Sequence, residues 1–167
     1  MDLLFVFEWL DASMLADISK SSAGIFSIVQ AIHILSMVML IGMILLGDLR
    51  ILNVLLRDVP SDVVVANTGK WIKIALVCII LSGIYEASAI AMKLYFNMFY
   101  WAKMAGLAMG LVYMYVFRNP IYKAYALAVA GNAPAETVSP AVVKLIAVTN
   151  LVIWLTVAAS GRWIGFS

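Results

Sequence analysis

The sequence predicts an all-helical (all-α) integral membrane protein, a four-helix bundle preceded by a short interfacial amphipathic helix. Three observations carry that expectation. Of 167 residues, 65% are hydrophobic and only 12% are charged, against roughly 25% charged residues in soluble domains. The mean hydropathy is +1.06. Apolar runs near the ~20 residues that cross a bilayer as helix recur four times, at about 23–47, 69–92, 101–118 and 141–164. Short joints separate the runs, so the whole of 1–167 reads as one transmembrane domain.

Residues 2–19 place Leu3, Leu4, Phe7, Leu10, Met14 and Ile18 at helical spacing, with Glu8, Asp11 and Asp17 off the stripe. The acids forbid spanning, so this segment is expected to lie on the membrane with Trp9 at headgroup level. Asp2, Glu8 and Asp11 stand where a cleavable signal would be basic, and the segment is expected to be retained. The first span is expected to continue as helix to Leu56 before Pro60 ends it. The second starts near Gly69 and carries Ser82, Gly83 and Glu86 in its interior, and the aromatic turn from Tyr95 to Trp101 follows. The third stops at Arg118-Asn119-Pro120, with a helical extension over 121–130. Its Gly106 and Gly110 have the spacing that lets helices approach closely. Residues 131–140, rich in Gly, Pro and Ser, read as a loop before the last span.

Lys and Arg number 11 and sit near helix ends. Arg50, Arg57, Lys70, Lys73, Arg118, Lys123 and Lys144 fall on one side, against Lys20, Lys93, Lys103 and Arg162 on the other. The positive-inside rule then places both termini outside, in the periplasm of a bacterial inner membrane. A net charge of +2 without a basic face excludes nucleic acid as a partner. Cys78, the single cysteine, reads as a buried hydrophobe. There is no Walker loop, HExxH, GxSxG, CxxC or CxxCH, so the equipment for nucleotide hydrolysis, zinc proteolysis, serine chemistry and c-type haem attachment is missing.

Against that apolar ground the polar residues are the candidates. His33, the only histidine, falls near mid-membrane, about 15 Å along its helix by the ~1.5 Å rise per residue. Such a residue faces a bundle interior, a cofactor or water. Gln30 and Met37 share its face at minus three and plus four. Glu86, Lys103 and Arg162 arrive at one level on three helices, either as a structural ion-pair network or as a rim for an acidic ligand. Met37, Met39, Met43, Met104 and Met109 offer soft sulfur for haem iron or copper. Asp48 and Arg50 read as structural, Asp48 pairing with a base from another helix, with Asn53 and Arg57 extending the polar face. Asn150 is expected to face inward at the His33 level.

Two stretches carry a resemblance. AIHILSMVMLIGMILLGDLRIL and the closing WLTVAASGRWIGF resemble a bacterial four-helix membrane family of unknown function. More distantly, the layout is similar to the superfamily of the HemJ-type protoporphyrinogen oxidases and the CopD-type copper-resistance proteins. The HemJ likeness implies a haem b ligand at His33 and a helix-opening lysine at Lys103, within FYWAKMAG. The further histidines of that type are missing here, so the resemblance implies a haem site more than oxidase activity.

The expectation is therefore a haem b protein of electron transfer or porphyrin redox chemistry. His33 is the ligand, Met37 or Met104 stands opposite, and Lys103 and Arg162 lie near the propionates, with Glu86 and Gln30 lining the site. The ligand could also be shared between His33 of two chains. The alternatives are a non-catalytic assembly subunit, acting with partner membrane proteins or as a homo-oligomer, and copper handling through His33 and the methionines.

Overall fold

The computed structural model of the chain describes residues 3–129, 131 and 139–163, the side chains of Arg162 and Trp163 excepted. Among these residues every regular element is helical: α1 (Leu4–Asp11), α2 (Met14–Ser21), α3 (Ala23–Ile51), α4 (Ser61–Ala89), α5 (Ala91–Tyr95), α6 (Met98–Val112), a π-helical segment (Tyr113–Arg118), α7 (Asn119–Val129) and α8 (Pro140–Trp163). Of these, α3, α4 and α8 are long and apolar enough to cross a membrane. Their outward faces carry large apolar side chains such as Ile28, Leu35, Leu81 and Leu145, all at least half exposed. Such surface suits lipid rather than water.

The N-terminal segment is two helices, not one. Ser13 breaks it by capping α2, its Oγ accepting from the Ala16 amide at 3.2 Å. Phe7 of α1 is buried among the rings of Tyr95, Tyr100 and Trp101, at centroid distances of 5.4, 6.0 and 5.7 Å. Ser19 of α2 meets Ser88 of α4 at 3.3 Å. Both helices are thereby held against one end of the bundle, the capped end; the α3–α4 loop marks the other, the loop end.

Two expected boundaries move. α3 stops at Ile51 instead of reaching Leu56, because Asn53 (φ 59°) and Leu56 (φ 53°) are left-handed, a conformation that ends helices. Asn53 and Arg57 therefore belong to an exposed loop. Conversely, the chain does not stop at Arg118-Asn119-Pro120. Pro120 has no N–H, and its ring would crowd the carbonyl four residues back in an α-helix. The wider π turn immediately before it relieves that crowding, with the Asn119 amide bonded to the Met114 carbonyl. The helix then runs on to Val129.

His33 meets Ser82 whereas Gly47 lies beside Thr68, so α3 and α4 are antiparallel. The α6–π–α7 rod runs antiparallel to α8: Lys103 lies against Gly161, Gly106 against Val157, and Gly110 against Ile153 and Trp154. A Cβ at Gly106 would stand 3.0 Å from Val157 Cγ2, so the two glycines of GLAMG do set a close crossing. The middle of the bundle is apolar, built from Leu40, Ile44, Ile72, Ile79, Met114 and Trp154. A second apolar cluster around Ile51, Val143 and Ala147 closes the loop end.

Candidate functional site

Buried polar groups gather in two layers, one on each side of that apolar middle. In the loop half, Asp48 is fully buried and accepts from three other segments. Arg118 Nε, at the end of the π segment, donates to its Oδ1 at 2.7 Å. The Tyr122 hydroxyl on α7 donates to the same oxygen at 2.9 Å. Asn150 Nδ2 on α8 donates to Oδ2 at 2.6 Å, and Trp154 Nε1 donates to the Asn150 carbonyl oxygen at 3.2 Å. The guanidinium also sits 4.5 Å from the Tyr122 ring centroid. An isolated carboxylate would be prohibitive here, but a paired one with both oxygens bonded is tolerated. Gly47 makes the pairing possible, since any Cβ would stand 2.8 Å from Arg118 Nη2.

The expectation that Asp48 pairs with a base from another helix is met, and Arg50 is structural as well, donating from Nε to the Val59 carbonyl at 2.7 Å. Two readings are corrected. Arg118 is 2% exposed, so it is a buried ion-pair partner rather than a marker of the membrane boundary. Asn150 faces inward but at the level of Asp48, not of His33.

In the capped half, His33 is 7% exposed and turned toward α4. Its Nδ1 lies 2.8 Å from Ser82 Oγ. Ser82 Oγ also donates to the Cys78 carbonyl at 2.5 Å, an arrangement in which its oxygen accepts from His33 Nδ1–H. That arrangement corresponds to the Nδ1–H tautomer of the ring. Gly83 admits the ring: a Cβ there would stand 3.3 Å from His33 Cε1. Sequence spacing missed Ser82 as the partner, although a serine-glycine pair in an apolar helix was the available signal.

Lys103 arrives from α6 with its stem along Gly161, whose Cβ would lie 3.6 Å from Cδ and Cε and 3.7 Å from Nζ. Its charge acts on both His33 and Glu86. No direct ion pair joins Lys103 to Glu86, and Glu86 Oε1 is buried without a hydrogen-bond partner among the described residues. Tyr85 OH, the neighbouring position on α4, is in the same condition.

The other sequence candidates do not converge on His33. Gln30 is exposed. Met37, Met39 and Met43 pack against the apolar middle, and Met104 and Met109 are 42% and 58% exposed. The burial of His33 also gives no support to a ligand shared between two copies. Arg162 precedes the end of α8, its side chain lying outside the described residues. No group of three or more His, Cys, Asp or Glu among the described residues could hold a metal ion, and Cys78 is free and half-buried.

The family model described as a family of unknown function (DUF6644) matches residues 6–167. No curated protein and no solved structure matches the chain, so the distant likeness to the HemJ and CopD types finds no support there.

Proposed function

Since the chain belongs to that family of unknown function, its role has to be read from its own residues, and we propose a membrane-embedded protein that binds haem b in the capped half, for electron transfer or porphyrin-related redox chemistry. The observation that carries this is the buried contact between His33 Nδ1 and Ser82 Oγ. A hydrogen bond at Nδ1 is how a protein orients an imidazole that ligates iron through its other nitrogen. Lys103 supplies a cation for a propionate, and Arg162, next after Gly161, belongs to the same end. Glu86 lines the polar side of the site. His33 would be the residue of this chain that holds the iron. Haem would supply one-electron chemistry; the chain's part is to orient the imidazole, offer the cation and seal the site with the apolar middle.

The decisive experiment is a reduced-minus-oxidised optical spectrum of the purified protein. A Soret band lost in His33→Ala and kept in Gln30→Ala supports the proposal, and a colourless wild-type protein ends it. Metal analysis of the same sample separates copper handling, which would give copper without iron.

A second reading, a non-catalytic subunit that assembles with partner membrane proteins or as a homo-oligomer, draws on the loop half, where the buried polar groups hold helices together. A large, stable, iron-free assembly in mild detergent would favour it.

In the bilayer, we infer four spans, the third formed by α6 and the π segment, with α1 and α2 at the surface of a bacterial inner membrane and both termini outside. Taking Arg118 out of the charge count narrows the bias without reversing it. Single cysteines placed at Lys20 and Lys70 in a Cys78→Ser background would be labelled from opposite sides of the membrane.

A further inference from the structure

The turn from α5 to α6 is an apolar projection at the capped end. Phe96 and Met98 are 76% and 75% exposed there. Beside them lies a groove of about 230 Å³ lined by Lys93, Phe96, Asn97, Met98 and Phe99. Hydrogen bonds within the turn hold its shape. Asn97 Oδ1 accepts from the Phe99 and Tyr100 amides at 2.9 and 3.2 Å, and Trp101 Nε1 donates to the Tyr95 carbonyl at 2.8 Å. A groove set in advance loses little entropy on being filled.

The rings of Phe7, Tyr95, Tyr100 and Trp101 gather around the same turn, the company that marks a membrane–water interface. Large apolar side chains so exposed at that depth face lipid. The charges at this end single out one lysine. Lys20 is paired with Asp11 at 2.8 Å, and the stem of Lys103 lies along Gly161. Lys93, one helical turn before Phe96, is exposed and has no ion-pair partner among the described residues. No carboxylate of the described residues lines the groove. An apolar trough with an unpaired cation at its rim, at headgroup depth, is complementary to a lipid whose phosphate meets the ammonium and whose chain follows Phe96, Met98 and Phe99. A zwitterionic headgroup would bring a second cation beside Lys93, so the match is to a net negative one. We propose that this groove is a docking site for one acidic phospholipid.

The test uses the full chain in nonionic detergent. A bimane label at Ala102→Cys, in a Cys78→Ser background, sits on an exposed position of α6 one turn on from Met98 and Phe99. Phospholipid with brominated acyl chains quenches it when a chain lies in the groove. Brominated phosphatidylglycerol should half-quench at about one-fifth the concentration that brominated phosphatidylcholine needs, and Lys93→Gln should bring the two together. Lys20→Gln, which removes an ammonium already paired, should change the preference by less than about twofold. Equal quenching by the two lipids with Lys93 intact, or a preference that survives Lys93→Gln, overturns the proposal. Displacement of the brominated lipid by inorganic phosphate overturns it as well. So does a disulfide between two copies of the unlabelled Ala102→Cys chain at saturating lipid, which would give the groove to a second copy.

Discussion

The two polar layers of this molecule are built from similar residue types and finished differently. In the loop half a carboxylate, a guanidinium, a phenol, an amide and an indole close on one another until both oxygens of Asp48 are taken and, of this cluster, only Arg118 Nη2 is left unmet among the described residues. In the capped half a histidine, a carboxylate, an ammonium and a phenol lie near one another with only one bond between side chains, His33 to Ser82, and with Glu86 Oε1 and Tyr85 OH unmet. Closed networks rigidify a fold, and a buried group left unmet costs free energy that selection removes unless something else gains from it. The difference separates architecture from site more sharply than residue identity does.

The comparison can be broken most directly at Arg118. Arg118→Met strands a buried carboxylate and should cost about 3–5 kcal/mol, whereas Asp48→Leu combined with Arg118→Met should recover most of that loss. Thermal unfolding in detergent reads both, and a single variant as stable as wild type would take the loop half out of the architecture. Next comes Gly47→Ala, whose Cβ would stand 2.8 Å from Nη2 and should cost about 1–3 kcal/mol. Gly42→Ala in the same helix meets nothing within 4 Å and should be neutral or stabilising, so equal losses in the two would remove the steric argument.

Smaller effects are expected on the capped side. Ser82→Ala should cost about 1 kcal/mol and release the tautomer, so that ¹⁵N shifts of His33 move from the Nδ1–H form to a mixture. An unchanged ¹⁵N pattern would mean that Ser82 does not set the ring. The smallest change, and the most telling in sign, is Lys103→Met. It removes an ammonium that has no ion-pair partner among the described residues, and should leave Tm unchanged or slightly higher while weakening any acidic ligand. A marked loss of stability would make Lys103 a structural member like Arg118.

The legibility of these features follows from their range. The long apolar helices were visible because length and hydropathy are local properties, and the pairing of Asp48 because a carboxylate in hydrocarbon demands a base. Which base was not visible: Arg118 is 70 positions away, and beside Pro120 it looked like a helix end. On α3, Met37 does turn toward the core beside Leu40, but Gln30, expected on the same face, is exposed. That helix is apolar on nearly every side, so spacing of three or four selects neighbours of His33 without saying which of them turn inward. Left-handed Asn53 and Leu56 were hidden because the apolar pattern continues through them.

One rod serves both layers, carrying Lys103 into the first and Arg118 and Tyr122 into the second, and the π segment lies between them. In helical phase, a π turn amounts to one extra residue, about 100° of rotation. Losing a single residue between Tyr113 and Phe117 would restore an ordinary α-helix with nearly the same bearing beyond it, whereas straightening the π turn at full length would turn everything beyond it by that angle and part Lys103 from Arg118. The spacing between the two halves therefore tolerates the loss of one residue here but not an insertion, in a stretch where single substitutions at the exposed Tyr115, Val116 and Phe117 should pass with little effect.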